Sequence, residues 1–386
     1  MRIAFNTLIQ NPQAPDGSMD FYRQIIGELA RQDQNNEYFV FVSTTNQHLF
    51  HVESKNVHLV NCFISNERPL LRILASQILI PYRLLQHRID VLFSPQNISA
   101  LYIPRRIRNI VAIITTHHWK TPRSIGLLRS MYRRGISYVA RKQADLILAN
   151  SEICKKEICE NLDVDSGKVR IVYEGLDHSR FYPRVLSSEE KHELSRMGVN
   201  GRFILFVSII WHYKNVHTLI DAYGKLCQKI NPEQKLVLVG RIEMSGEGNR
   251  EYFEHMMNLC DEYNIAERVK FVGYVPNEDV AKFYRSADLY VQPSMHETFG
   301  KSVVEAFGCG VPVIAAHAGA SPEVVGDAAV LFDPNNSGQL AEAMEKILSD
   351  RNLRDTLVQK GLERAEHFSF SRQASELISM FEELGG

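Results

Sequence analysis

Twelve short apolar runs, separated by stretches long enough for a helix and its turns, leave this chain few ways to fold. In the first half the runs fall at 3–8, 38–42, 57–62, 91–94, 110–115, 146–149 and 169–172, interleaved with amphipathic patterns over 19–30, 70–86 and 127–141. A second series at 203–208, 235–239, 269–272, 289–291 and 313–315 follows a polar stretch. Short strands joined through helices pair in parallel, and a parallel sheet needs helices on both faces. The expected fold class is therefore α/β. At 386 residues the chain exceeds one ordinary domain, and 45% hydrophobic with 23% charged residues is a globular composition. The expected division is a first domain over 1–183, a linker over 184–200 and a second domain over 201–369. No repeat of fixed period and no low-complexity tract interrupts it.

Several classes drop out on composition. The six cysteines are scattered without a C-x-x-C pair, and Met1-Arg-Ile-Ala-Phe-Asn lacks the apolar stretch of a secretory signal. The expectation is a reducing, cytoplasmic setting. No run approaches the length of a membrane span; the nearest, 70–82, is broken by Arg72, Ser76 and Gln77. Net charge is -1, but between Arg68 and Ala144 there are 14 Lys or Arg against one acid, Asp90. Arg68, Arg72, Arg83 and Arg88 interleave there with Leu70, Leu74, Ile78, Leu84 and Leu85 at roughly helical spacing. Each cation near an anionic surface contributes up to about 1 kcal/mol, so an anionic membrane surface or acceptor is the leading reading of this stretch. A solvated basic half balanced by an acidic one is the plainer alternative. Nucleic acid is not expected as a partner, because no recognised module, aromatic pattern or zinc spacing accompanies the charge.

The segment from Pro293 to Glu305 carries the chemistry. Gly300 permits a tight turn just before an apolar helical run from Ser302, so the amides around Gly300 to Val303 are poised to receive a phosphate. Glu305 falls a turn deeper, and Glu297 stays on the loop in front. From Phe299 to Ala316 the only charged residues are Lys301 and Glu305. A lone carboxylate in such a run needs a partner, whether ribose hydroxyls, an Arg or backbone amides. Two carboxylates beside a phosphate-seeking helix end suit a nucleoside-diphosphate sugar. Helix-capping and solvated-face roles for the two glutamates are the alternative.

From Asp288 to Pro334 the sequence resembles the retaining glycosyltransferases that share an E-x7-E motif (glycosyltransferase family 4, glycosyl transferases group 1). The resemblance rests on Glu297, Phe299, Gly300, Glu305, Ala306, Gly310, Pro312, Pro322, Glu323, Gly326, Asp333 and Pro334. It implies two facing Rossmann-like domains, the GT-B fold, with the C-terminal helix, 370–386, crossing back to the first domain. It also implies transfer of a hexose-type sugar from a nucleoside-diphosphate sugar to a saccharide or lipid-linked acceptor, with retention of configuration. Under that scheme the leaving phosphate helps deprotonate the acceptor, Glu297 orients sugar hydroxyls and Glu305 holds the ribose. Thr298, Phe299, Gly300, Lys301 and Ser302 are the donor-contacting stretch.

The remaining site residues lie on strand-end loops, where open α/β sheets bind ligands. Gly17 and Ser18 follow the first strand, with Ser18 where the family usually has a second glycine. His117 fits the family's histidine near the transferred sugar; His118, its rival, stands where an aspartate is usual. Lys214 matches the lysine of the diphosphate clamp, whereas the clamp's arginine position is Ile209; His212, Arg241 or Lys301 are the candidates to compensate. Gly240-Arg241 and the loop with Val275 fall where the family holds the nucleobase. No aspartate-rich metal pair is apparent, so neither a metal nor another cofactor is expected. A same-fold epimerase or phosphorylase, or an inactive binding subunit suggested by Ile209, are the competing readings.

Overall fold

A computed structural model describes residues 1–8, 18–50, 52–65, 69–95, 100, 102–120, 127–242 and 248–385, with only the helical backbone at 18–20, 69–71 and 127–129. The contacts divide the chain into two units. One comprises Met1–Lys120, Leu128–Gly175 and the closing helix Phe370–Gly385, and the other is built on Leu176–Ser369.

The first unit holds β1 (Arg2–Asn6), β2 (Glu37–Val42), β3 (Val57–Asn61), β4 (Val91–Ser94), β5 (Arg108–Ala112), β6 (Leu146–Ala149) and β7 (Val169–Ile171). They form a seven-stranded sheet in the order β3-β2-β1-β4-β5-β6-β7, and every pairing is parallel. The strands are nearly continuous apolar runs because both faces are covered. On one face Phe5 meets Phe93 edge to face at 5.1 Å and Phe381 at 6.4 Å. Phe381, with Leu377 and Ala374, comes from the closing helix Phe370–Gly385, which packs beside the helix Ser18–Gln32. Gln32 Nε2 donates to Ser371 Oγ at 2.9 Å across that seam.

The second unit holds β8 (Phe203–Val207), β9 (Lys235–Val239), β10 (Val269–Gly273), β11 (Leu289–Gln292), β12 (Val313–Ala316) and β13 (Val330–Phe332), in the all-parallel order β10-β9-β8-β11-β12-β13. Ile204, Phe206, Leu236, Val291 and Ile314 from its strands pack on Leu219 and Tyr223 of the helix Val216–Ile230. Each unit is thus Rossmann-like, and each sheet reverses its strand order once, between β1 and β4 and between β8 and β11.

Two elements differ from the expectation. β13, a three-residue edge strand, is not among the expected runs. The polar stretch 184–200, expected to link the halves, instead folds within the second unit and carries the helix Ser188–Arg196. Ser187 and Glu190 form a reciprocal cap at its start, and Arg184 holds both Glu190 oxygens at 2.7 and 2.6 Å. That guanidinium pulls the Glu190 carboxyl down to about 2. Leu186, Leu194 and Val199 bury themselves, and Lys282 Nζ reaches Glu193 at 2.5 Å. The break between units falls earlier, at Gly175 and Leu176. Among the described residues no helix is long and apolar enough to cross a membrane.

Candidate active site

The crevice at a strand-order reversal is where an open parallel sheet takes its ligand. In the second unit the two loops that leave it follow β8 and β11. After β8 the chain makes a single 3-10 turn, His212–Lys214, and Asn215 at φ 58° swings it into the helix Val216–Ile230. Asparagine is among the few side chains at home in that left-handed region. The buried Asn215 side chain donates to the carbonyls of Pro293 at 3.0 Å and Pro334 at 2.8 Å, and accepts from Thr218 Oγ1 at 2.8 Å. One amide therefore ties together the loops after β8, β11 and β13. The Met295 amide adds a bond to the Tyr213 carbonyl at 2.9 Å.

Within this frame Lys214 Nζ donates to Glu297 Oε1 at 2.6 Å, the two side chains being 13% and 11% exposed. The ammonium also lies 5.2 Å from the centre of the Tyr213 ring. Burial works against the charge on Lys214, but Glu297 and then Tyr213 more than offset it, and the ammonium is held above the ordinary lysine value.

Beyond Glu297, Gly300 adopts φ 96° and opens the eight-residue helix Lys301–Gly308 without any side-chain cap. A Cβ at Gly300 would meet the Gln292 amide at 3.3 Å as well as the wrong backbone region. The buried atoms Gln292 Oε1 and Ser294 Oγ have no hydrogen-bond partner among the described residues. Buried polar atoms of this kind suit a pocket that receives a polar ligand. Thr298 and Phe299 are buried, Phe299 stacking edge-on against Phe368 at 5.4 Å, while Lys301, Ser302 and Glu305 are half-buried. Glu305 accepts from the wholly buried Tyr284 hydroxyl at 3.1 Å. Burial first, and Glu305 second, push the Tyr284 phenol well above its usual value, so it remains a donor.

The neighbouring strand ends are laced to the same place by backbone. The Ile210 amide donates to the Arg241 carbonyl at 2.9 Å, and the Gly240 amide to the Gly273 carbonyl at 2.8 Å. Gly240, at φ 136°, leaves only 1.9 Å between a built Cβ and the Ser208 carbonyl, so the loops after β8 and β9 touch there. Val275 is buried, and Ile209 is 38% exposed beside Arg241, whose side chain is open to solvent.

Residues 187–364 match the pattern described as Glycosyl transferases group 1, and residues 21–180 match Glycosyltransferase Family 4. The chain belongs to these glycosyltransferases. It is 32% identical to a D-inositol 3-phosphate glycosyltransferase of Corynebacterium jeikeium (strain K411), over 62% of this chain and 58% of that one. It is 27% identical to O-antigen chain mannosyltransferase B of Escherichia coli, over 72% of each. The match to the first of these spans under two thirds of that relative's length. Among solved structures, sucrose-phosphate synthase from Thermosynechococcus elongatus shares the fold at TM-score 0.77 and 20% identity, covering 99% of this chain and 98% of that one. HepE of Anabaena, solved in complex with UDP and glucose, does so at TM-score 0.73 and 19% identity, over 99% of this chain and all of that one.

In this glycosyltransferase the second unit gathers most of the residues read from sequence: Lys214, Glu297, Thr298, Phe299, Gly300, Lys301, Ser302 and Glu305, with Arg241 and Val275 on adjoining loops. The first unit carries the rest. Gly17 and the Ser18 side chain lie outside the described residues. The strand β5 leads to a four-residue helix, His117–Lys120. His117 is half-buried there. His118 is wholly buried, stacks on Trp119 at 4.2 Å, and through its carbonyl accepts from Ser130 Oγ at 2.6 Å and Arg134 Nε at 2.9 Å. Burial, then Arg133 and Arg134, depress the His118 imidazole to about 4. Of the two residues His117 is the more exposed.

Sequence reasoning missed Asn215, Gln292 and Tyr284. Only Asn215 had a usable signal, standing directly after Lys214 and before an apolar helix. Among the described residues no three His, Cys, Asp or Glu side chains gather as a metal site.

Proposed function

We propose that the chain is a retaining glycosyltransferase that moves a hexose-type sugar from a nucleoside-diphosphate sugar to a saccharide or lipid-linked acceptor in surface polysaccharide or glycolipid synthesis. The observation that carries this reading is the buried Lys214–Glu297 pair at the β8/β11 reversal, immediately before the Gly300-led helix. An arriving diphosphate finds a cation already in place and a helix N-terminus beside it, both of which favour the negative charge that grows as the nucleotide leaves. Glu297, shared between Lys214 and the sugar hydroxyls, orients the sugar; Glu305, steadied by Tyr284, accepts from the ribose. The nucleotide of HepE's complexes, UDP, is one candidate for the nucleotide here. His117 is assigned to the same reaction, and no divalent metal is required.

The test is release of nucleoside diphosphate from a panel of nucleotide sugars, with and without membrane extract. Turnover that needs an acceptor supports transfer, and turnover without one supports an epimerase. Dependence on free phosphate supports a phosphorylase. No binding or turnover of any donor, with Glu297→Ala and Glu305→Ala indistinguishable from wild type in donor-dependent stability, removes the transferase reading. Full activity in a chelator supports metal independence, and the anomeric form of the product decides retention.

We also assign the first unit a place on an anionic membrane surface. The helix Pro69–Gln86 exposes Leu74, Ile78, Tyr82 and Leu85 in a row, 46–74% open, and Arg83 flanks them. Exposed apolar rows with basic flanks lie well in a charged lipid interface. Equal flotation with neutral and anionic vesicles rules this out.

A further inference from the structure

The strand β11 reads Leu289-Tyr290-Val291-Gln292, and all four residues are buried. Successive side chains along a strand point to opposite faces of the sheet. Leu289 and Val291 join the core packed on the helix Val216–Ile230. Tyr290 and Gln292 therefore lie on the other face, which the helices Asn277–Ser286 and Lys301–Gly308 cover.

That second face carries polar groups where the first is apolar. Gln292 lies beside Gly300 at the helix start, and farther along the Tyr290 ring packs on Tyr284 with centres 5.4 Å apart. The Tyr284 hydroxyl donates to Glu305 Oε2 at 3.1 Å. Both tyrosines are buried, and a phenylalanine would fill either space without a hydroxyl to strip of water. A buried hydroxyl is costly unless it is bonded, so the one on Tyr284 calls for a reason beyond packing. Burial above all holds both phenols above their usual range; Glu305 adds to this at Tyr284, and Glu297 and Glu305 at Tyr290, while the Ser302 hydroxyl acts the other way on each. Neither gives up its proton near neutral pH, and the Tyr284 hydrogen stays committed to the carboxylate.

A carboxylate offers about four acceptor positions, and Tyr284 takes one of them from beneath the helix. A ribose 2′-hydroxyl can donate to another. A 2′-deoxyribose has no hydrogen to give there, and a site built to bond a hydroxyl rejects the analogue that lacks it.

We propose that Tyr284 is a specificity-determining positioning residue, which through Glu305 makes the second unit select ribonucleoside over 2′-deoxyribonucleoside diphosphates, with the Tyr290 ring holding Tyr284 in place. The placing of a ribose at Glu305 rests on the transferase reading; the part played by Tyr284 is a separate claim. It narrows the donor class, because a thymidine diphosphate sugar lacks the hydroxyl that the site requires.

Calorimetric titration of the full chain with UDP, GDP and ADP, each beside its 2′-deoxy counterpart, and with thymidine diphosphate tests it. At least one ribonucleotide is expected to bind about tenfold or more tightly than its 2′-deoxy form, the worth of one charge-assisted bond. Tyr284→Phe keeps the ring and is expected to cut that ratio to about threefold or less. A ratio of two affinities in one protein is insensitive to a general loosening of the fold, which weakens both forms alike. Should Tyr284→Phe fail to fold, Tyr290→Leu, which withdraws the ring packed on Tyr284, carries the same test and is expected to lower the ratio about threefold. Equal binding of ribo and deoxy forms by the wild type, thymidine diphosphate binding as tightly as the best ribonucleotide, or a variant that leaves the ratio unchanged overturns the proposal. Turnover of a nucleotide sugar with a ratio unmoved by Tyr284→Phe defeats the positioning role alone. A wild type that binds none of these nucleotides defeats the transferase reading, and this proposal with it.

Discussion

The main chain of Gly319 lies against the main chain of Glu297. Gly319 adopts φ 55°, and a Cβ built there falls 2.4 Å from the Glu297 carbonyl and 2.6 Å from its amide; the next residue, Ala320, donates its amide to that same carbonyl at 2.9 Å. The loop after β12 is thus a backstop for the Glu297 main chain, and it works only without a side chain at position 319.

Gly319→Ala is expected to push Glu297 back from Lys214. Strain in the left-handed region and the backbone clash together cost about 1–3 kcal/mol. A falling melting temperature with a loss of donor turnover larger than the loss of donor binding checks this; unaltered turnover denies the backstop.

Lys214→Met leaves a buried carboxylate without its cation. Breaking such a pair costs about 3–5 kcal/mol, and Glu297 keeps a further contact, which places the expectation at the low end. The double variant Lys214→Met/Glu297→Leu should recover much of the stability and none of the activity. Denaturant titration of the three proteins gives the comparison.

The pair also fixes the alkaline limit. Lys214 is held above its unfolded value of 10.5, so its contribution is complete below that pH and disappears as pH rises through the higher folded value. Stability of wild type should fall more steeply above about pH 10.5 than that of the double variant.

At the acid side the sign reverses. His118 in the first unit and His217 in the second are both depressed from 6.5 to about 4, chiefly by burial. Each unfolded ring takes a proton that the folded one refuses, so stability is complete above about pH 6.5 and falls as pH drops toward 4. For His118 the full loss is about 3 kcal/mol. His118→Asn should flatten that part of the stability curve, measured by urea unfolding at successive pH values.

Ile209→Arg restores the guanidinium that the family resemblance implies, at a position exposed enough to accept it. A new charge-assisted bond to the diphosphate should tighten donor binding about tenfold. An unchanged dissociation constant means that Arg241 or Lys301 already supplies that charge.

Much of this was legible in the chain. The runs 91–94, 146–149 and 235–239 are strands with those same limits, because buried parallel strands leave uninterrupted apolar runs. The Glu297 to Glu305 segment gave the loop, the Gly300 turn and the helix in order. What escaped was contact across sequence. Tyr284 sits 21 residues from the Glu305 it holds and Lys214 sits 83 from Glu297, and no local pattern records such pairs. The polar composition of 184–200 hid a helix because its stability comes from Ser187, Glu190 and Arg184 at its start, with few apolar anchors. His117 fits the family's position and His118 is its rival; the burial of His118 sets the two apart.

The closing helix Phe370–Gly385 sets an order of events at the ribosome. Phe5 and Phe93 cannot finish their cluster until Phe381 has emerged, whereas Leu176–Ser369 contains all of its own sheet. All of the second unit's sheet is therefore synthesised before Phe381, so part of one apolar face of the first sheet stays uncovered until the last helix of that unit has been made.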